Sequence, residues 1–413
     1  RNACYWIWIT LSIGYNNPKV KRISEMYSDV SAFYYGGISE WRLCGIFSQK
    51  DIERFSSTGL DDAKKIVDRC IECNYSILCI DDELFPKCLY NIECPPALIY
   101  VNGVMPDIDN TFSIGIVGTR RATKYGIENS YRFAYALSKY GTIIVSGGAL
   151  GVDGASHRGA LATDGITICV RGCGLNCSYL RENSDIRSTI PKRGAVITEY
   201  PPDETPRNYY FPARNRIIAA LSDGLLVMEA GKKSGSLITA NLAAEQGKTI
   251  FALLGNNSPQ NEGSNALIKE GLAIPVTDFM DILCEFDSLY ATTDDEFDID
   301  NISLADTGNF PVKGIRKQAP ARIYVNKQND QPPAKTAVPY VSEKSETVVQ
   351  KPVHKENLNL PKTAQDVYEY IGNEPVHIDK ISADLKIPVF KVLTALTMLE
   401  MKDLVSALQG RNY

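Results

Sequence analysis

The chain lacks several features that would assign it to a class at once. None of its apolar runs approaches the roughly 20 residues that a membrane span needs. Its apolar start, Arg1–Leu11, has no small-residue cleavage site of the signal-peptide kind and is expected to be the first core helix of a domain. The missing initiator Met suggests a trimmed fragment. A basic excess is also lacking, since the net charge is −5, so any nucleic-acid site must be a local patch.

Several catalytic and cofactor motifs are absent as well. There is no G-x-G-x-x-G dinucleotide fingerprint, no P-loop, and no Ser-His-Asp or acid pair in a recognisable motif. The eleven cysteines are an odd number without a secretion signal, which favours free thiols in a reducing cytoplasm. The pairs Cys70/Cys73 and Cys173/Cys177 lack the further ligands of a zinc site. These absences predict a cytoplasmic binding protein that is not an enzyme and holds no metal or cofactor.

The 413 residues are enough for two or three domains of about 100–200 residues each. Composition and periodicity divide them into four regions. Residues 1–105 are expected to form a small, mainly helical domain of the SAM or helix-hairpin-helix kind, and residues 106–286 the central domain. An acidic and then proline-rich stretch predicts a disordered linker over 287–359.

The last region, residues 360–413, has the helix order of a winged-helix-like domain. Its expected helices are Thr363–Ile371, Ile378–Leu385 and Val389–Met401. The third helix carries only Lys391, with Lys402 just beyond it, so DNA contact and protein contact both stay open for this domain.

The central region alternates strand and helix, which predicts an α/β fold with a doubly wound, Rossmann-like sheet. The expected strands are Ser113–Val117, Thr142–Val145, Thr167–Val170, Ala195–Thr198, Gly224–Met228 and Thr249–Leu253. The expected helices are Gly126–Lys139, Gly154–Ala162, Asp185–Ile190, Ala213–Leu221 and Ser236–Gln246. Ligands of such a sheet bind at the carboxyl ends of its strands.

Two glycine turns follow two of these strands. The first, Gly118-Thr119-Arg120-Arg121, is followed by Lys124 and Tyr125. Cations beside a helix N-terminus favour an anion site, with Arg120 on phosphate oxygens and Tyr125 stacked on a base. A solvated loop is the alternative.

The second turn is Ser146-Gly147-Gly148, and His157 lies on the helix after it. A catalytic role for His157 is less expected than a hydrogen bond to Asp153, one helical turn earlier.

Two further segments complete the candidate site. Arginines interleaved with aromatic residues between Pro206 and Arg216 fit a single-stranded nucleic-acid groove, with a core-covering loop as the alternative. The residues expected to contact nucleic acid there are Arg207, Asn208, Phe211, Arg214, Asn215 and Arg216. A nest of backbone amides and hydroxyls follows the strand that ends at Met228, and it contributes Ser234, Gly235, Ser236 and Thr239.

In order and spacing these motifs resemble the DNA-processing protein A family, also called DprA or Smf. The matching segments include Ile116–Arg120, Tyr125-Gly126, Gly151–Asp153, His157–Leu161, Ser178-Tyr179, Asn183, Glu199-Tyr200, Phe211–Ile218, Glu229-Ala230 and Ser234–Thr239. The resemblance implies an extended Rossmann fold that binds single-stranded DNA, protects incoming strands in natural transformation and helps to load the RecA recombinase. It also implies a homodimer through the region around Ala266–Leu272, with Arg120 as the principal phosphate ligand and Phe211 as a stacking or groove residue.

The sequence departs from the family pattern at two positions, where Leu150 and Asn208 replace basic residues. These replacements predict an affinity for DNA below that of a typical member. Two other readings remain, a nucleotide hydrolase similar to the phosphoribohydrolases and an adaptor with a vestigial DNA site. The hydrolase reading is weakened because this chain lacks the Pro-Gly-Gly-x-Gly-Thr loop of that group. The corresponding segment here is Glu229–Gly235.

Overall fold

The computed structural model describes residues 2–163 and 165–286, and, nearer the C-terminus, residues 362–371 and 378–385 with the single positions 376, 387, 392, 395, 396, 399 and 405. The chain divides into two units, residues 1–319 and 320–413. The predicted linker, 287–359, lies outside the described residues. In the described part of the chain, no helix is both long and apolar enough to cross a membrane.

Five helices open the first unit: α1 (Ala3–Ile13), α2 (Lys19–Met26), α3 (Val30–Leu43), α4 (Gln49–Ser57) and α5 (Leu60–Glu72). Helix α1 is apolar all round, as a buried helix should be, and its Trp6 and Trp8 are fully buried. The Trp8 ring lies 5.0 Å, centroid to centroid, from Phe55 of α4. Helices α4 and α5 are separate because the chain is extended at Thr58 and Gly59 between them.

One sheet of nine strands follows, in the spatial order β1-β2-β6-β5-β4-β3-β7-β8-β9. Its strands are β1 (Ser76–Cys79), β2 (Leu98–Gly103), β3 (Ser113–Val117), β4 (Ile143–Ser146), β5 (Thr167–Val170), β6 (Ala195–Thr198), β7 (Gly224–Val227), β8 (Thr249–Leu253) and β9 (Ile274–Val276). Strands β1, β2 and β6 pair antiparallel, and the remaining pairs are parallel. The sheet therefore continues across the boundary expected at residue 105.

Helices cover both faces of the sheet, which is why strand β3 is buried along its whole length. They are α6 (Lys87–Tyr90), α7 (Lys124–Lys139), α8 (Val152–Leu161), α9 (Ser184–Thr189), α10 (Tyr210–Ala220), α11 (Gly235–Glu245), α12 (Glu262–Lys269) and α13 (Met280–Glu285). From β3 the chain first winds outward through β4, β5 and β6, then crosses back to β7 on the other side of β3. Strand β3 is therefore a topological switch point, where doubly wound sheets open a ligand crevice.

The second unit contains α14 (Lys362–Tyr370) and α15 (Ile378–Leu385), both within one residue of the predicted bounds. Val367 and Ile381 pack in an apolar cluster with Val392, Leu396 and Leu399, which are themselves helical. Most of the predicted third helix, Val389–Met401, lies outside the described residues.

Candidate nucleic-acid interface

A cleft of about 540 Å³ opens at the carboxyl end of β3. Five segments line it: the first glycine turn, Ala149 with the start of α8, the loop around Tyr179, the start of α10 and the start of α11. The predicted site residues that it brings together are Gly118, Thr119, Arg120, Arg121, Asn208, Phe211, Arg214, Asn215, Ser234, Gly235, Ser236 and Thr239. Asp153, Tyr179 and Ile238 also line it and were not among the predicted contacts.

Glu229 fixes the first glycine turn. It follows β7 in the chain and is fully buried. Its carbonyl oxygen accepts from the Thr119 N–H at 2.7 Å, and its carboxylate accepts from the Thr123 N–H and hydroxyl at 2.8 and 2.5 Å. Thr123 in turn caps α7, since its Oγ1 accepts from the Gly126 N–H. Gly118 has no room for a side chain, because a Cβ there would lie 2.5 Å from Val152. The turn therefore presents its outer residues from a rigid base.

Arg120 is exposed at the cleft mouth and lies against two aromatic rings. Its guanidinium carbon is 5.2 Å from the centroid of the Phe211 ring, a cation–π distance. Its Nη1 donates to the Tyr179 hydroxyl at 3.4 Å, and the Tyr179 and Phe211 rings are 5.4 Å apart. Arg120 has no carboxylate partner among the described residues, so its charge is available to an anionic ligand.

Arg214 and Arg216 of α10 are each only 5% exposed, although both were predicted to contact nucleic acid. Arg214 reaches the cleft wall, but its Nη1 donates to the carbonyl oxygens of Gly147 and Val170. Arg216 does not line the cleft, and its Nη2 donates to the Glu199 carboxylate at 2.8 Å in a buried ion pair. The two arginines lie two residues apart and project from different sides of α10, and each meets protein acceptors: the Gly147 and Val170 carbonyls for Arg214, and Glu199 for Arg216.

The second glycine turn is buried and does not line the main cleft. The Ser146 hydroxyl donates to the Ile116 carbonyl at 2.7 Å, and Gly148 has a φ of +67°. Gly147 and Gly148 line only a smaller neighbouring pocket. Protein groups fix this turn, and it does not open to the main cleft.

His157 is fully buried, and the hydrogen bond predicted to Asp153 is replaced by another. Its Nδ1 lies 2.8 Å from the Thr167 Oγ1. Because the Thr167 hydroxyl donates to the Ile144 carbonyl, Nδ1 must carry the proton in this contact. Burial lowers the pKa of His157 to about 3, so the ring is neutral at physiological pH. Both features describe a structural residue.

Three exposed residues of the predicted set stand outside the cleft or have other partners. Lys124 lies 3.5 Å from Glu128, and Arg207 pairs with Glu204 at 3.0 Å. The Tyr125 hydroxyl donates to the Leu254 carbonyl at 2.8 Å, which holds its ring against the protein. Within the described ranges, no group of three His, Cys, Asp or Glu side chains is placed to hold a metal ion.

Helix α11 supplies the opposite wall of the cleft. The Ser234 hydroxyl caps it by accepting from the Ser236 N–H at 3.4 Å, and the two hydroxyls are 2.8 Å apart. The free N–H groups and the dipole of a helix N-terminus favour a negative group, so this wall has the same electrostatic preference as Arg120.

Comparison with known proteins gives a consistent picture. A family model described as DNA recombination-mediator protein A matches residues 76–287, and one described as DprA winged helix domain matches residues 353–411. These matches confirm the resemblance inferred from the motifs and the expected winged-helix domain.

Among curated relatives, Protein Smf of Escherichia coli is 39% identical over 212 residues, which cover 51% of this chain and 56% of that protein. DNA processing protein DprA of Bacillus subtilis is 39% identical over 193 residues, covering 46% of this chain and 65% of the relative. The chain thus matches less than two thirds of the length of either. The X-ray structure of DprA from Streptococcus pneumoniae superposes with a TM-score of 0.60 at 31% identity, covering 68% of this chain and 97% of that one.

Proposed function

Because the chain belongs to the DNA recombination-mediator protein A family, we propose that it is a mediator that binds single-stranded DNA in the cleft, protects the strand and helps to load the RecA recombinase in natural transformation. The observation that carries this proposal is the position of Arg120, whose guanidinium stands unpaired against the Phe211 and Tyr179 rings at the cleft mouth.

This arrangement favours a single strand over a duplex. A single strand offers phosphates for Arg120 and unstacked bases for the faces of Phe211 and Tyr179. In a duplex the bases are stacked on one another and the aromatic rings have no base face to contact. The helix N-terminus of α11 adds a second anion-favouring group on the facing wall.

The proposal is for binding without catalysis and without a cofactor. Asp153 is the one carboxylate among the residues that line the cleft, and its Oδ2 accepts from the Ala149 N–H at 3.3 Å. His157 is buried and neutral, so it offers no acid or base to a bound strand. A cytoplasmic location fits this role, and all eleven cysteines are free thiols, as a reducing compartment allows.

We also propose a homodimer through the far end of the sheet, beyond the cleft. Strand β9 is the edge strand there, and Leu272 just before it is 51% exposed. An apolar side chain beside an edge strand fits a contact with a second copy of the chain. Sedimentation at several concentrations of the wild type and of Leu272→Glu tests this face, and the variant is expected to dissociate at a higher concentration than the wild type.

The central experiment titrates the chain against fluorescent oligothymidine and a matched duplex at several salt concentrations, alongside Arg120→Ala. The wild type is expected to prefer the single strand, and its affinity should fall as salt rises. Loss of one charge-assisted phosphate contact should weaken binding by about tenfold to a hundredfold. Arg22→Ala is the control. Arg22 is 70% exposed on α2, so this substitution removes one positive charge away from the cleft.

Two results would contradict the proposal. If Arg120→Ala binds like the wild type, the cleft is not the DNA site and an adaptor role through the C-terminal unit becomes the better explanation. If the wild type itself binds no oligothymidine at low salt, the DNA site is vestigial.

A further inference from the structure

A second, smaller pocket of about 20 Å³ adjoins the main cleft. The two share Arg120, Tyr179 and Phe211 in their walls, so they form neighbouring compartments of one groove. Four arginines line the smaller pocket, and no carboxylate does so among the described residues: the arginines are Arg120, Arg171, Arg187 and Arg214. We call it the arginine pocket.

Two of these arginines are held by neutral acceptors deep in the fold. Arg171 is 5% exposed and donates to the carbonyl oxygens of Leu175 and Cys177, each at 2.7 Å. Arg214 is as deeply buried and donates to the Gly147 carbonyl. Carbonyl oxygens satisfy these N–H groups without neutralising the charge. Asp153 is the carboxylate buried beside Arg214, since a Cβ on Gly147 would lie within 3 Å of both side chains.

Arg187 stands at the outer side of the same pocket and is half-buried. Its Nη1 donates to the carbonyl of Leu180 at 2.7 Å, which leaves the rest of its guanidinium fork for another partner. None of the four arginines forms an ion pair with a described carboxylate. Four arginines around one small space outnumber the single neighbouring carboxylate, Asp153, so the pocket keeps a net positive charge that favours an anion.

We propose that the arginine pocket is a second phosphate subsite, which takes the backbone phosphate next to the one that Arg120 binds in the main cleft. The inference rests on the proposed single-stranded DNA binding and extends it. A volume of about 20 Å³ holds one or two water-sized groups, so it admits phosphate oxygens and excludes a base. A guanidinium fork matches two phosphate oxygens at once, and Arg187 is placed to supply it at the entrance.

The test compares Arg187→Gln with the wild type and with Arg22→Gln, an exposed control that loses the same charge elsewhere. Glutamine keeps a donor for the Leu180 carbonyl. Binding of short thymidine oligonucleotides is measured by fluorescence anisotropy over a series of salt concentrations. Arg187→Gln is expected to bind about tenfold more weakly, with a log–log salt slope smaller by about one phosphate, while Arg22→Gln keeps both values.

A set of oligonucleotides with one neutral methylphosphonate linkage each locates the contact. If Arg187 binds one phosphate, neutralising that phosphate and substituting Arg187 remove the same interaction. The two losses of affinity are then less than additive at that linkage and additive at all the others. Arg187→Lys serves as the second variant: it keeps the charge and is expected to restore the salt slope while recovering only part of the affinity.

The possible results distinguish a failure of the phosphate subsite from a failure of the proposed single-stranded DNA binding. A wild type that binds no oligonucleotide overturns the proposed function. A wild type that binds, with Arg187→Gln equal to Arg22→Gln or with additive losses at every linkage, overturns the subsite alone. If inorganic phosphate raises the Tm of the wild type but not of Arg187→Gln, and both bind the oligonucleotide equally, the pocket takes a free oxyanion and the strand assignment is wrong.

Discussion

The two glycine turns occupy equivalent places in the strand–turn–helix pattern and have different surroundings. Each follows a buried parallel strand and precedes a helix. The first turn leaves Arg120 and Arg121 exposed at the cleft, whereas the second is buried at Ser146, Gly147 and Gly148. A glycine turn thus predicts that some group packs closely against the backbone. It does not predict whether that group belongs to a ligand or to another part of the protein.

Topology explains the difference. The first turn follows β3, where the chain direction across the sheet reverses and a crevice opens. The second follows β4, one strand away, and the rest of the fold covers it. Asn183 donates to the Ala149 carbonyl at 2.8 Å, and Arg214 donates to the Gly147 carbonyl at 2.7 Å. Protein groups therefore fix the second turn, and of the two pockets it borders the smaller one.

The largest expected effect on stability concerns the buried arginine Arg216 of α10. Arg216→Ala leaves Glu199 buried and without its ion-pair partner, so the free energy of unfolding should fall by about 3–5 kcal/mol. Urea denaturation measures the change. Arg207→Ala, on the exposed approach to the same helix, should change it by less than about 1 kcal/mol. Equal effects of the two variants would show that the burial of the Arg216–Glu199 pair adds nothing to its contribution to stability.

Gly148→Ala tests the second turn directly. The glycine has a φ of +67°, and an added Cβ would lie 2.5 Å from the Cys169 sulfur. Backbone strain and overpacking together should reduce the free energy of unfolding by about 2–4 kcal/mol. Gly235→Ala is the matched control at the cleft rim, because a Cβ there meets nothing within 4 Å. A neutral Gly148→Ala would show that the second turn is less tightly packed than this contact with Cys169 indicates.

The helix after the second turn gives a pH prediction. The folded pKa of His157, about 3, lies below the unfolded value of 6.5, so its contribution to stability is complete above pH 6.5 and is lost as the pH falls toward 3. Between pH 7 and pH 5 this amounts to about 2 kcal/mol. His157→Gln should flatten the pH dependence of the free energy of unfolding in this window. An unchanged pH profile would show that His157 is not buried in its neutral form.

Much of the fold was predictable from local pattern. The six central strands were placed within one residue because parallel, fully buried strands are short continuous apolar runs. Strand β9 was missed, since it has three residues and contains Pro275, which an interior strand excludes but an edge strand tolerates. Helix α3 could not be delimited from the sequence, because Gly36 and Gly37 fall in its middle and Gly37 has a φ of +64°.

The site was predictable only where sequence and topology coincide. The first turn and the start of α11 lie at strand ends, so their convergence on the cleft follows from the α/β pattern. Tyr179 lies 59 residues from Arg120, on a loop whose position depends on tertiary contacts. The burial of Arg214 and Arg216 could not be foreseen either, because their acceptors belong to other segments that only the tertiary fold brings to α10.

The smallest expected effect concerns the two departures from the family pattern. Asn208 is exposed and lines the main cleft, whereas Leu150 lines a separate groove of about 310 Å³ with Ile127 and Tyr131. Asn208→Lys should therefore raise the affinity for oligothymidine by about two- to fivefold and steepen the salt slope by about one phosphate.

Leu150→Arg should leave both quantities unchanged, because the new charge would stand beside α7 and α8 and not in the cleft. Fluorescence anisotropy with the same oligonucleotides measures both variants. The reverse result, a gain from Leu150→Arg and none from Asn208→Lys, would place the strand along the second turn. The structural contrast between the two glycine turns would then no longer correspond to a contrast in function.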